Sequence, residues 1–311
     1  MKKVLLASTA LIGFAGAAAA EVSLSGYAEI GIKGGTGMDT QFHNDIDVTF
    51  NLSGQSDNGL EFGATIDLDE VTTSGEVGGE ATSSSAFTGS FSNFNKSSVW
   101  VSGSFGKVTL GDTDGAFDWA LTEVAGLTSL TDDHTTHAGF NGNSGLDGTY
   151  DGQIMRYEYS FGDFAVAVSA EMDDTGALDP VLGLGGKWSG DLGGATVGVG
   201  LGYQAVSGGD DIVGLSVTGD FAGGFNAKLN YSTRSSAAAA RDWDHWGVSA
   251  GYTTGALALD VNYGRFSGGK TGKGWGFAAN YDLGGGAVAM LGYGKSSGGA
   301  HTWSAGMGLS F

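Results

Sequence analysis

Apolar residues recur at every second position along most of this chain, and no other feature restricts its possible folds so strongly. The last eleven residues show it plainly. Trp303, Ala305, Met307, Leu309 and Phe311 share one parity, while Thr302, Ser304, Gly306, Gly308 and Ser310 share the other. Side chains of a strand point alternately to its two faces, so this segment has one apolar face and one small, polar face. Its length suits a tilted strand crossing a bilayer. A soluble strand buried on one face would alternate too, so the rest of the chain must decide.

The pattern recurs. Leu60, Phe62, Ala64, Ile66 and Leu68 oppose Glu61, Thr65 and Asp67, and Val197, Val199, Leu201 and Tyr203 oppose Gly198, Gly200 and Gly202. About sixteen such segments are predicted: 22–33, 41–53, 59–71, 96–105, 106–112, 152–160, 163–173, 181–190, 195–206, 210–221, 224–234, 243–253, 256–267, 273–283, 286–296 and 301–311. An even number suits a closed barrel, which leaves no open sheet edge. From the second segment on, every other connection is short and rich in Gly, Asp and Phe, as in S-F-G-K, S-F-G-D-F and T-T-G-A. Such residues make tight hairpin turns. The intervening connections vary in length, and 72–95 and 112–151 are long. Short turns at one end and long loops at the other mark an outer-membrane barrel; a soluble sandwich has no reason to sort its loops this way.

Composition agrees. Lys2 and Lys3, the apolar run Val4 to Ala15, and Ala18-Ala19-Ala20 before Glu21 read as a secretory signal peptide cleaved after residue 20. The apolar run is too short for a spanning helix. Without residues 1–20 the chain carries 12 basic and 34 acidic residues, a net charge of −22. That balance excludes nucleic acid as a partner, because phosphate contacts need a basic surface. With no cysteine, an exported chain gains no disulfides. The 59 glycines raise the question of disorder, but 11% aromatic and 41% hydrophobic residues argue for a folded chain. The run Gly198, Gly200, Gly202 is no dinucleotide fingerprint, since no helix pattern follows it. On the small face of a strand these glycines leave lumen space or relieve curvature.

Three segments carry a family resemblance: V-S-L-S-G-Y-A-E-I-G-I (22–32), V-S-G-S-F-G-K-V-T-L-G-D-T-D-G-A-F-D (101–118) and the terminal L-S-F (309–311). In these the chain resembles the general diffusion porins of Gram-negative bacteria, above all the alphaproteobacterial, Rhodobacter-type group. The resemblance implies a sixteen-stranded antiparallel transmembrane β-barrel, usually a homotrimer. It also implies that the long loop 112–151 folds into the lumen as a constriction and that loop 72–95 contacts a neighbouring subunit. Lipid bilayer and lipopolysaccharide are then the surroundings.

In the constriction loop the acids expected to matter are Asp112, Asp114, Asp118, Glu123, Asp132 and Asp133, with Asp147 and Asp151 behind them; the loop has no Lys or Arg. Carboxylates along a narrow aqueous path favour cations. The resemblance sets a basic wall opposite the loop. Arg156, Lys33, Lys228 and Arg234 have the inward parity for it, and an outward Arg at the midplane would cost about 2–4 kcal/mol. His134 and His137 beside Asp132 and Asp133 make a weak case for a transition metal. Clustered carboxylates suit calcium better, as a possible structural ion, and no cofactor is required.

The expected function is a passive, water-filled outer-membrane channel for small hydrophilic solutes and ions, weakly selective for cations. The alternative is a substrate-specific, sugar-type channel, which commonly carries an aromatic track along its lumen; most aromatics here share the apolar parity. A barrel hydrolase would need a Ser–His–acid constellation, and no nucleophile motif is present. An adhesin or purely structural barrel would not need the long acidic loop. The last strand should pair with residues 22–33, bringing the Glu21 amine close to the Phe311 carboxylate.

Overall fold

A computed structural model describes residues 21–69, 97–130 and 137–311. The predicted leader (1–20), loop 72–95, and Asp132, Asp133 and His134 lie outside the described residues. Within them sixteen antiparallel strands form one closed ring. These are β1 (Glu21–Gly35), β2 (Met38–Gln55), β3 (Glu61–Asp69), β4 (Ser97–Gly103) and β5 (Gly106–Asp112), followed after the long loop by β6 (Gln153–Phe161) and β7 (Phe164–Glu171). Then come β8 (Val181–Leu192), β9 (Ala195–Val206), β10 (Asp211–Phe221), β11 (Phe225–Ser235) and β12 (Trp243–Thr254). The last are β13 (Leu257–Gly268), β14 (Gly272–Gly284), β15 (Ala287–Ser296) and β16 (His301–Ser310). Each strand pairs with its sequence neighbours, and β1 closes on β16.

The turns at one end are as short as the sequence implies. Gly193 and Gly194 join β8 to β9 with φ of +64° and +90°, the left-handed pair that a two-residue hairpin needs to match strand twist. β1 and β2 depart from expectation in length. They extend to Gly35 and from Met38 and are joined by a two-residue turn, so the first loop is replaced by a projecting hairpin.

Burial is inverted relative to a soluble protein. Leu182, Leu184, Leu201, Val213, Leu229, Val261 and Leu291 are exposed on the outer face. Gln204, Asn230, Asn262, Ser216, Ser304 and His245 are buried on the inner one. Exposed apolar area on this scale is stable only against lipid. Two aromatic rows bound the apolar band. Near the short turns, Phe161 stacks on Phe164 with centroids 5.8 Å apart, and Phe225 meets Tyr252 at 4.6 Å. Near the loop ends, Trp246 meets Tyr263 at 5.3 Å and Trp275 meets Tyr293 at 5.2 Å. Tyr263 stands opposite Trp275, and Tyr293 opposite Trp303, so this row holds one level across five strands. Amphipathic rings at that level mark a membrane–water interface.

Closure of the ring corrects one expectation. Tyr27 pairs with Ser310, and Gly26 exchanges backbone hydrogen bonds with Phe311 at 2.8 and 3.2 Å. Phe311 therefore lies beside Gly26, not beside Glu21. Residues 21–25 run past the end of β16 and pair only with β2, Glu21 facing Ser53. Five residues of strand keep Glu21 about 17 Å from Phe311.

Candidate pore constriction

The wall positions the loop through inward side chains, strand by strand. A short helix α1 (Ala116–Ala120) opens the described part of the loop. The Asp147 carboxylate accepts from the Gly115 N–H at 2.7 Å, and the Ser169 hydroxyl on β7 accepts from the Ala116 N–H at 2.8 Å. Onward, the Thr122 N–H donates to Ser216 on β10 (3.0 Å), and Lys228 on β11 donates to the Ala125 carbonyl (3.0 Å). The Gly126 N–H donates to Asp260 on β13 (3.1 Å), and Asn280 on β14 to the Thr128 carbonyl (3.1 Å). Ser129 reaches Gly292 on β15, and Leu130 reaches Gly31 on β1.

From residue 137 the loop retraces this arc. His137 bonds Asn262 at 2.8 Å, the Gly139 carbonyl bonds His245 at 2.9 Å, and Asn143 accepts from Asn230 at 2.9 Å. The Leu146 N–H donates to Gln204 at 2.7 Å, and both Tyr150 and Gly152 donate to Glu171 at 2.9 Å. The described anchors thus lie on β6 to β16 and β1. Strands β2–β5 form the arc across the lumen.

Packing secures the loop's base. Phe117 is fully buried among Leu121, Leu146, Val181, Ile212, Trp243 and Phe266. Val181, Ile212, Trp243 and Phe266 are apolar residues on inward parity at the loop-side ends of β8, β10, β12 and β13, a break in the alternation that sequence reasoning passed over. Two glycines make room: a Cβ on Gly185 would overlap the Ala116 carbonyl oxygen, and one on Gly200 that of Ala120. The lumen space expected of the glycine run on β9 is therefore filled by the loop. Lys187, also missed, donates to the Trp119 carbonyl at 3.0 Å and lies 3.7 Å from the centre of its ring.

The candidate acids divide. Asp114 and Asp118 gather at the loop's start near Asp147 and Glu123. Burial, then the charges of Asp114, Asp147 and Glu123, push the Asp118 carboxyl up to about 8, against the lowering pull of Arg156. Burial also raises Asp147, opposed by its bonds from Gly115 and Gln204. Asp112 ends β5, opposite Gln153. Burial lowers His137, against the raising effect of Asn262.

The candidate bases spread around the ring. Arg156 on β6 bonds the Asp114 carbonyl at 2.5 Å and Glu158 at 3.0 Å. Lys228 holds the loop's middle, Arg234 pairs with Asp210 at the loop-side end of β11, and Lys33 stands on β1 opposite Gln41 and Ser304. Of the candidate bases, Arg156 meets the start of the acidic loop, at the Asp114 carbonyl. On β1–β3 the inward groups are mostly acidic: Glu29, held by His43 at 2.7 Å and Tyr27 at 3.2 Å, with Asp45, Asp47 and Asp67. Among the described residues, no three His, Asp or Glu side chains are grouped to hold a metal ion.

Residues 7–301 match the family described as Gram-negative porin. The chain belongs to the Gram-negative porins. A curated relative, the porin of Rhodobacter capsulatus, is 28% identical over 313 residues, covering 88% of this chain and 93% of the relative. The barrel of this porin superposes on a porin structure refined at 1.8 Å with a TM-score of 0.69 and 23% identity, covering 94% and 100% of the two chains. A triple variant of the Rhodopseudomonas blastica porin matches at 0.68 and 16% identity, covering 93% and 100%. The porin is a channel protein of the outer membrane, and its polar lumen gives small solutes a path through lipid.

Proposed function

We propose that this porin passes small hydrophilic solutes and ions by passive diffusion and weakly prefers cations. One observation supports the preference above others: carboxylates occupy both sides of the path. Asp114 and Glu123 belong to the loop, and Asp45, Asp47 and Asp67 face the lumen from β2 and β3. Arg156, Lys187, Lys228 and Arg234 are each tied to a loop carbonyl or a carboxylate. A narrow path with a net excess of negative charge raises the local cation concentration and lowers the barrier for cation passage. The mechanism uses no cofactor. Calcium at the loop carboxylates would show as a loss of thermal stability on chelation.

The same reading includes cleavage after residue 20, a homotrimer with loop 72–95 against a neighbour, and lipopolysaccharide around the outer rim. Reversal potentials across a planar bilayer in a KCl gradient test the selectivity. The expected sign is that of potassium permeating ahead of chloride; an anion-selective potential overturns it.

A further inference from the structure

One wall tryptophan faces the water of the channel. Trp100 on β4 stands opposite Gly63 on β3 and Thr109 on β5, and Thr109 stands opposite Arg156, so all share the inward parity. Val99, on the other parity, is exposed on the outer face. Gly63 lets the indole rest against the wall, since a Cβ there would stand 2.7 Å from the ring. Of the other inward wall aromatics, Trp243 and Phe266 pack into the cluster around Phe117, and the Tyr27 hydroxyl bonds Glu29. Trp100 is half-exposed, on the arc β2–β5 that carries none of the described loop anchors.

Polar side chains frame the ring. Glu61 and Thr65 on β3 lie diagonal to Trp100, on either side of Gly63. The Ser102 hydroxyl donates to Glu61 at 3.4 Å, and the Thr65 hydroxyl donates to the Asn51 side-chain oxygen at 3.1 Å. With its oxygen so engaged, Asn51 presents its amide N–H donors, while Glu61 presents acceptors. Both residues are exposed. Diagonal neighbours in a sheet stand about 7–8 Å apart, which leaves room for one sugar ring laid on the indole with its rim against these groups.

We propose that Trp100, Glu61 and Asn51 form a binding subsite for a neutral saccharide, whose C–H face lies on the indole while its hydroxyls bond the carboxylate and the amide. It rests on the proposed passage of small hydrophilic solutes and names one class of them. An indole is apolar across its face, so it and the C–H face of a sugar both shed water on contact. A carboxylate acceptor makes the stronger kind of hydrogen bond to the sugar's hydroxyls. An aromatic face also draws organic cations, and Lys107 decides between the two. Its ammonium lies 5.1 Å from the centre of the Trp100 ring. A second cation there meets like charge, whereas a sugar gains one more donor.

Single-channel recording in KCl with maltose added to the bath tests it. Wild type should show a current reduction that saturates with maltose. Sorbitol, an acyclic polyol without a ring face, should lower the current only as it lowers the conductivity of the solution. W100A should need about tenfold more maltose for half-block, the loss expected for one stacked ring. W100L, which keeps apolar bulk without a flat face, should behave the same and decides if W100A does not refold. E61Q, which removes the charge from the acceptor, should need about fivefold more. Unchanged half-block in the Trp100 variants or in E61Q overturns the site, as does equal saturation by sorbitol. Saturable block by choline chloride but not by maltose, relieved in W100A, overturns it in favour of an organic cation. A wild type that conducts but shows no saturation with maltose overturns the subsite and leaves the channel reading standing; one that does not conduct overturns both.

Discussion

Asp118 is the residue whose chemistry departs furthest from what its place in the sequence suggests. With its pKa at about 8 it is mostly protonated at neutral pH, so raising pH through 8 adds a negative charge to the constriction. Potassium preference should therefore grow between pH 7 and 9, and Asp118→Asn should flatten that rise; reversal potentials at each pH measure both. Stability has the opposite sign. The folded chain holds a proton that the unfolded one, near 3.8, releases, so this group's contribution is lost as pH rises from about 4 to about 8. Melting temperatures across that window should fall less for Asp118→Asn than for wild type. The sequence showed Asp118 only as one acid among several. Its perturbation comes first from burial, then from Asp114 four positions away, and then from Asp147, 29 positions away, and neither the burial nor the approach of Asp147 is announced by spacing.

At the scale of elements, the strands were legible because lipid on one side and water on the other impose a period of two along each. Segments 106–112 and 195–206 coincide with β5 and β9. The loop's course was not legible, because it depends on wall residues from β6 round to β1 that meet only in the closed ring. One signal did exist: Val181, Ile212, Trp243 and Phe266 are apolar on the polar parity, and apolar residues facing a lumen need something to cover them. Phe117 is that cover. Phe117→Ala should weaken the loop's seat by about 3–5 kcal/mol while leaving the barrel closed. The expected readout is noisier and larger single-channel conductance, with the β-sheet circular dichroism of the barrel unchanged. Gly200→Val, which drives a side chain into the Ala120 carbonyl, should raise conductance by the same route.

For the whole molecule, charge is distributed by side. Acids line the lumen on β2, β3 and the loop. The triple variant Asp45→Asn/Asp47→Asn/Asp67→Asn should bring the KCl reversal potential closer to zero without changing the fold, with circular dichroism as the check on the latter. Family resemblance set a basic wall across from the loop, but Arg156, Lys228 and Arg234 stand on the same arc as the loop's anchors, because parity gives a residue's side and not its azimuth. Those anchors also order events in time. Ala116 waits for Ser169, 53 residues later, and Ala138 for Ser296, 158 residues later. Contacts so remote in sequence form late, and a seat made of strands from β6 round to β1 does not exist until the cylinder has closed. A newly closed barrel should therefore conduct as a wider hole than the finished one, with the loop the last part to find its seat.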